Sequence, residues 1–324
     1  KHSVDPTIGN NTMNLNRRQL IQASAASLAT AGTLQATTVS TAEKIEKPFG
    51  YCFNTSCVRG QKLTLEKQVD LVIKAGYEGI EPWIRDMQAY QESGGSIKDL
   101  GKKLADNNVQ VVSAIGFARW IVNDDKERAA GLETAKKDMA LLKEMGGIRI
   151  AAPPVGATDI ENFDLFAAAS RYYDLCEVGR NAGITPQLEL WGFSKTLSRL
   201  GELAFVAAEA GHPDACILPD IYHIYKGGSS FEGLKMLNGQ HIHCFHVNDY
   251  PAEPPRKTIA DKDRVHVGDG VAPVSKILQM VYQAGCRGML SLELFNPEYW
   301  KQDAMTVATE GLAKVKAAVA KAFG

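Results

Sequence analysis

No sign of charge dominates this sequence: 36 Lys and Arg stand against 37 Asp and Glu, a formal net charge of −1. That balance supplies no basic footprint for nucleic acid and no one-signed patch for an acidic membrane surface. Cysteine is sparse and never falls in a CxxC pair, so Cys52, Cys57, Cys176, Cys216, Cys244 and Cys286 offer no zinc-finger spacing. Four of the six lie inside apolar runs and read as small buried hydrophobes, with a Cys52–Cys57 bridge as the alternative. No glycine-rich phosphate fingerprint follows the first strand-like run, and the body of the chain holds no low-complexity segment. What remains open is a globular chain acting on small neutral or weakly charged ligands.

The N-terminus is set apart by composition. Residues 1–12 read as a tag or upstream extension, with Met13 as the natural start. Arg17 and Arg18 precede a mild Ala/Ser-rich run reaching about Leu34, and cleavage is expected after Ala31, Ala36 or Ala42. Paired arginines before such a run predict a twin-arginine export signal and linker over 13–42, hence a periplasmic or otherwise exported protein. An ordinary amphipathic helix is the alternative. The run is too short and too polar to anchor permanently in a bilayer, so no membrane contact is expected after cleavage.

From residue 47 to 324 short apolar runs alternate with longer helical ones. "FGYCFN", "YEGIEPW", "VQVVSAIGF", "GIRIAAPP", "GITPQLELW", "ACILPDIYH", "HIHCFHVND" and "GMLSLELFN" read as eight strands. Helical periodicity follows them, as in "LTLEKQVDLVIKAG", where Leu63, Val69, Val72 and Ile73 share a face and Gly76 marks the stop. Eight such alternations predict a single α/β domain, a (β/α)8 TIM barrel. An open doubly wound sheet rarely needs eight units. The one long irregular insertion is 249–271, after the seventh strand.

In a barrel of this kind the active site lies at the C-terminal ends of the strands. There the fifth to eighth strands deliver Glu189, Asp220, His246 and Glu293, one from each. "LSLELF" sets Glu293 among leucines and phenylalanine, where an unpaired charge is costly. One divalent cation is a common partner for all four side chains. Three carboxylates and an imidazole suit Mn²⁺ best, with Mg²⁺, Co²⁺ or Zn²⁺ as alternatives. Taken singly, each residue has an ordinary explanation: a strand-end Glu often caps a helix or forms an ion pair, and a strand His often just packs. Trp83 and Trp191, at the ends of the second and fifth strands, offer flat faces for a sugar ring, with packing as the alternative. Glu81 is expected to meet a substrate hydroxyl or a loop cation. Asp249 is expected to orient His246 or Arg264 by hydrogen bonding, or else to cap a loop.

The series "LEL", "PDIYH", "HVND" and "LELF", with "DRVHVGDG" after the seventh strand, resembles the xylose isomerase-like superfamily. Within it the sequence is similar to the sugar phosphate isomerase/epimerase branch, which holds tagatose and psicose epimerases, hydroxypyruvate isomerase and inosose isomerases. The likeness covers roughly residues 48–322. It implies one divalent metal on Glu189, Asp220, His246 and Glu293, and substrate contacts from His223 and Arg264. Departures are visible. The ketohexose 3-epimerases carry a second glutamate where this chain has Lys195, and His266 stands where relatives often have an aromatic or proline. The further ligands of a three-zinc endonuclease and the lysine of a two-metal hydride-shift site are both absent.

The resemblance implies an isomerase or epimerase acting on a keto or aldo sugar through an enediolate, with Glu189 and Glu293 moving the proton. Two rivals share the site: a lyase or hydratase on 3-keto sugars or glycosides, and a sugar-binding barrel without catalysis. A small carbohydrate is the expected partner, nucleic acid is not, and self-association is left open.

Overall fold

A computed structural model describes residues 47–324; the expected extension, signal and linker lie outside the described residues. Eight short parallel strands run β1 Gly50–Asn54, β2 Gly79–Glu81, β3 Gln110–Val111, β4 Arg149–Ala152, β5 Thr185–Glu189, β6 Cys216–Leu218, β7 Cys244–Val247 and β8 Met289–Leu292. Continuous ladders link β3-β2-β1-β8-β7 and β4-β5-β6. Backbone bonds close the two seams. Ala114 N–H donates to Arg149 O (3.1 Å) and Ala151 N–H to Ala114 O (2.9 Å) between β3 and β4. His246 N–H donates to Pro219 O (3.0 Å) between β6 and β7, where Asp220 and His246 lie opposite each other in parallel register. The barrel is therefore complete, and its second seam holds two of the residues singled out from the sequence.

Helices wrap the outside and bury one face each. Leu65–Ala75 starts at Thr64, whose side chain caps Lys67 N–H, and stops at Gly76, held at φ 82° where a Cβ would be strained. Val69 and Val72 on its inner face are fully buried, while Leu63 and Ile73 pack at the margin. Two features escape the sequence periodicity. Residues Ile84–Glu92 form a helix of their own after β2, and Phe231–Met236 before β7 form a 3-10 helix. The insertion 249–271 is irregular as expected, pinned by an antiparallel bridge between Asp249 and Val265.

Strand alternation sorts the barrel interior into layers. Cys52, Leu218 and Cys244 pack with Val112 and Ala151 in a lower apolar plug. Two residues further along those and the neighbouring strands come Asn54, Glu81, Glu189, Asp220, His246 and Glu293, all buried. Gly79 sits in the lower layer because a Cβ there would come within 2.4 Å of Val112 Cγ2. All six cysteines are buried and unpaired, so the Cys52–Cys57 bridge is not formed.

Candidate metal centre and pocket

The upper layer is an anionic cup built on strand ends. Asp220 caps the short helix Ile221–Lys226 by accepting His223 N–H on Oδ1 at 2.7 Å. Its Oδ2 accepts from Asn248 Nδ2 (2.8 Å) and Arg264 Nη1 (3.2 Å), and faces His246 Nδ1 at 3.9 Å. Glu293 Oε2 lies 3.3 Å from the same Nδ1 and accepts from Arg264 Nη1 at 2.8 Å. Ligand-capable atoms of Asp220, His246 and Glu293 thus lie within 4.8 Å of one another. Glu189 falls outside that limit, so the structure groups three of the four expected ligands tightly and leaves the fourth alongside. Trp191 Nε1 donates to Glu189 Oε1 at 3.2 Å, while Oε2 is buried with no hydrogen-bond partner among the described residues.

Glu81 does not meet the pocket. It is fully buried, and its Oε2 accepts from His246 Nε2 (2.9 Å), Asn54 Nδ2 (2.9 Å) and Ser291 Oγ (2.8 Å). The expectation of a substrate contact is therefore corrected. Inward parity on β2 carries Glu81 beneath His246, where it bonds Nε2 and leaves Nδ1 facing the cup. Asp249 is corrected in a similar way. Its carboxylate accepts backbone N–H groups of Tyr250, Gly268 and Ala272 at 2.8 to 3.0 Å and bonds neither His246 nor the Arg264 side chain. It clamps the loop that carries Arg264, which is the capping alternative.

The residues present fit a divalent cation. His246 Nδ1 and Glu189 Oε2 are buried and lack partners, and a cation is what satisfies converging carboxylate and imidazole lone pairs. A second grouping, Glu81, Cys244 and His246, fits less well. Glu81 Oε2 there already accepts from three donors, which leaves only its buried Oε1 without a partner.

Electrostatics separate the two glutamates. Burial foremost, opposed by His246 and reinforced by Glu293, pushes Glu189 up to about 8. Burial acts upward on Glu293, but the neighbouring His246 ring and the Arg264 guanidinium more than offset it. Glu293 is held well below the usual carboxylate range. Pairs of carboxyls pushed apart in this way mark acid–base sites. Arg264 itself is fully buried, stacked between Tyr222 (4.4 Å) and Phe295 (5.0 Å), and also bonds Asp261. His223 receives Gly192 N–H on Nδ1 (3.2 Å) while Arg264 Nη2 approaches Nε2 at 3.0 Å. A neutral imidazole has one acceptor nitrogen, so these two donors compete. Burial and then Arg264 push His223 down to about 3, which keeps the ring neutral.

Above the cup opens a pocket of about 380 Å³ lined by Glu189, His223, Arg264 and Glu293 at its base. Trp83, Phe117, Trp191, Phe193, Phe295 and Trp300 form its aromatic walls. Both tryptophans expected at the rim are there. Lys195 is elsewhere, exposed and paired with Glu161 at 3.0 Å.

Residues 69–317 match the family described as "Xylose isomerase-like TIM barrel". The chain belongs to that family. As a xylose isomerase-like barrel it is 24% identical to an inosose isomerase of Bacillus velezensis over 84% of this chain and 98% of the relative. It is 22% identical to a 3-dehydroshikimate dehydratase of Pseudomonas aeruginosa over 77% of this chain and 39% of that relative. Among solved structures it superposes on the IolI protein "with a binding zinc atom" at a TM-score of 0.79 and 21% identity, covering 85% of this chain and 100% of that one. The family's strand-end pattern made Asp220, His246 and Glu293 visible in sequence. It left Asn54 and Asn248 unseen, although Asn54 ends the first strand and Asn248 lies inside "HVND". Asn54 donates to Glu81 and to Glu293 (3.1 Å) while accepting from Trp83 Nε1 (3.1 Å), and so ties wall to cup.

Proposed function

We propose that this barrel is a divalent-cation-dependent isomerase or epimerase of a small carbohydrate, moving a proton on the carbon beside a carbonyl. The carrying observation is Glu189: a buried carboxyl with one unpartnered oxygen, facing the base of the pocket beside three converging ligand groups. Asp220, His246 through Nδ1 and Glu293 would hold the cation, with Glu189 completing the set. When bound, the ion supplies Lewis-acid polarisation of a carbonyl and acidity at the neighbouring C–H. Manganese is the expected ion, and the zinc atom bound by the IolI protein keeps zinc among the candidates.

The remaining work falls to the chain. Glu189 takes up or returns the proton, since its Oε2 is buried, unpartnered and part of the pocket lining. Glu293, ionised beside Arg264, would accept the proton taken from carbon, while Glu189 returns one from the other side of the substrate. His223 has one acceptor nitrogen for two donors, and a substrate oxygen placed between it and Arg264 resolves that conflict. The tryptophan faces of Trp83 and Trp191 exclude water from the base.

Purification without chelators, metal analysis, and incubation with Mn²⁺ and a panel of keto sugars and inososes in D₂O test this reading. Bound divalent metal and deuterium beside the carbonyl of recovered sugar are the expected results. Absence of exchange across the panel removes it. The similarity to a dehydratase supports a second reading, in which the same acidified carbon expels a β-substituent; an unsaturated product in that assay is its signature. The site's position in the cell is read from Arg17 and Arg18 alone: we take the protein to be exported, and its recovery from a cytoplasmic fraction only would refute this.

A further inference from the structure

We propose that the substrate carries an aryl-sized apolar ring beyond its reacting sugar, seated on a ledge formed by Phe117, Trp191 and Phe193. The proposal deepens the carbohydrate reading above and rests on it. Six aromatic side chains in one pocket exceed what a single polar ring uses, because each sugar hydroxyl turned toward them would go without a hydrogen bond. The rings are continuous. Phe295 meets Trp83 at 6.0 Å between centroids, Trp83 meets Phe117 at 5.2 Å and Phe117 meets Trp191 at 6.2 Å. Trp191 stacks on Phe193 at 5.3 Å with planes 27° apart, and Phe193 reaches His223 at 5.9 Å.

Exposure rises outward along this series. Trp83 is 6% exposed, whereas Phe117 and Phe193 are 40% and 48% exposed. Two phenylalanines flanking Trp191 therefore present free ring surface at the mouth of the pocket that holds Glu189 and Glu293. Phe166, exposed elsewhere, packs edge-on against Phe205. The polar and charged side chains at the mouth, Arg59, Asp261 and Lys262, come from other segments of the chain than the ledge. A volume of about 380 Å³ falls in the range of roughly 300–1,000 Å³ that holds drug-sized ligands. A sugar bearing an aromatic aglycone matches both surfaces: hydroxyls toward the cup, ring on the ledge.

Saturation-transfer NMR titrations with phenyl β-D-glucopyranoside and methyl β-D-glucopyranoside compare the two cases directly on the Mn²⁺-free and Mn²⁺-supplemented full chain. The phenyl compound is expected to bind about tenfold more tightly, the effect of roughly one or two ring contacts. Its phenyl protons should show the strongest transfer. The Phe117→Ala/Phe193→Ala double variant, checked for folding by circular dichroism, is expected to lose that preference. Equal affinities, no saturable binding of either compound, or a preference that survives in the double variant overturns the proposal. Turnover plays no part in this readout. Aryl preference without deuterium exchange would sink the isomerase reading and leave the ledge standing, and the converse result would do the opposite.

Discussion

The half of the barrel from β5 to β8 and the half from β1 to β4 bring different things to the same rim. The first supplies the charged groups: Glu189, Asp220, His246 and Glu293, with Arg264 from the loop after β7. The second supplies groups that aim and enclose them. Asn54 holds Glu81 and Glu293 together, Glu81 grips His246 from below, and Trp83 and Phe117 wall the pocket. Chemistry concentrated on one side is thus oriented from the other. The reason is geometric, since only groups across a closed ring can reach the far nitrogen of an inward imidazole.

That division can be broken first at its reactive end. Glu189→Gln is expected to lower proton exchange by about 10²–10⁴-fold, as removal of an acid–base group does. Folding should be retained, because Oε2 has no partner to lose. Full activity in this variant would move the proton transfer elsewhere. In the orienting half, Glu81→Gln is expected to weaken metal affinity by about 10–100-fold although Glu81 lies outside the three-ligand group that includes Glu293. Unchanged affinity by competition with a chelator would mean that the two halves are not coupled.

Two buried groups, one in each half, are also expected to answer pH in opposite directions. His266, in the loop after β7, is 1% exposed, with both ring nitrogens lacking hydrogen-bond partners and Tyr299 4.3 Å away. Burial foremost, against Glu310 and Asp269 and aided by Lys314, pushes it below the ordinary histidine value. The neutral ring is therefore favoured in the fold. Its contribution is complete above about pH 6.5 and is lost as pH falls toward the depressed value. Urea unfolding at pH 7.5 and 5.5 should show that loss in the wild type and a smaller one in His266→Phe.

Asp138, on the helix before β4, is the smaller and opposite case. It is 4% exposed, accepts Gln88 Nε2 at 3.0 Å, and burial pushes it up to about 6. The protonated form is favoured in the fold, so stability declines as pH rises from about 4 to about 6 and stays lower beyond. Asp138→Asn keeps an acceptor for Gln88 without the charge. It should stabilise by about 1 kcal/mol at pH 7.5, after allowance for solvent screening, and by much less at pH 4. No difference between the two pH values would show that Asp138 is hydrated.

Strand ends and their inward carboxylates were legible in sequence because alternation has period two and the fifth to eighth strands each carry a polar residue at or just past their end. The helix Ile84–Glu92 was not, since its apolar residues are few and only Ile84 and Met87 are buried. Asp249 carries two readings in sequence because Asp beside a strand-end His reads alike whether it serves a side chain or a loop backbone. The position of a carboxylate shows that it must be satisfied, without saying by whom.

By itself the order of residues determined that four successive strands end in ligand-type groups and that the lower interior is small and apolar. Local spacing dictates both, through the alternation of side chains along extended backbone. Ring closure alone decided that Glu81 lies under His246, 165 positions away, and that Asp220 stands beside His246 at a seam. It also decided that Phe117 and Phe193 meet around Trp191. Those contacts join residues far apart in the chain, and local periodicity carries no information about what lies across a barrel.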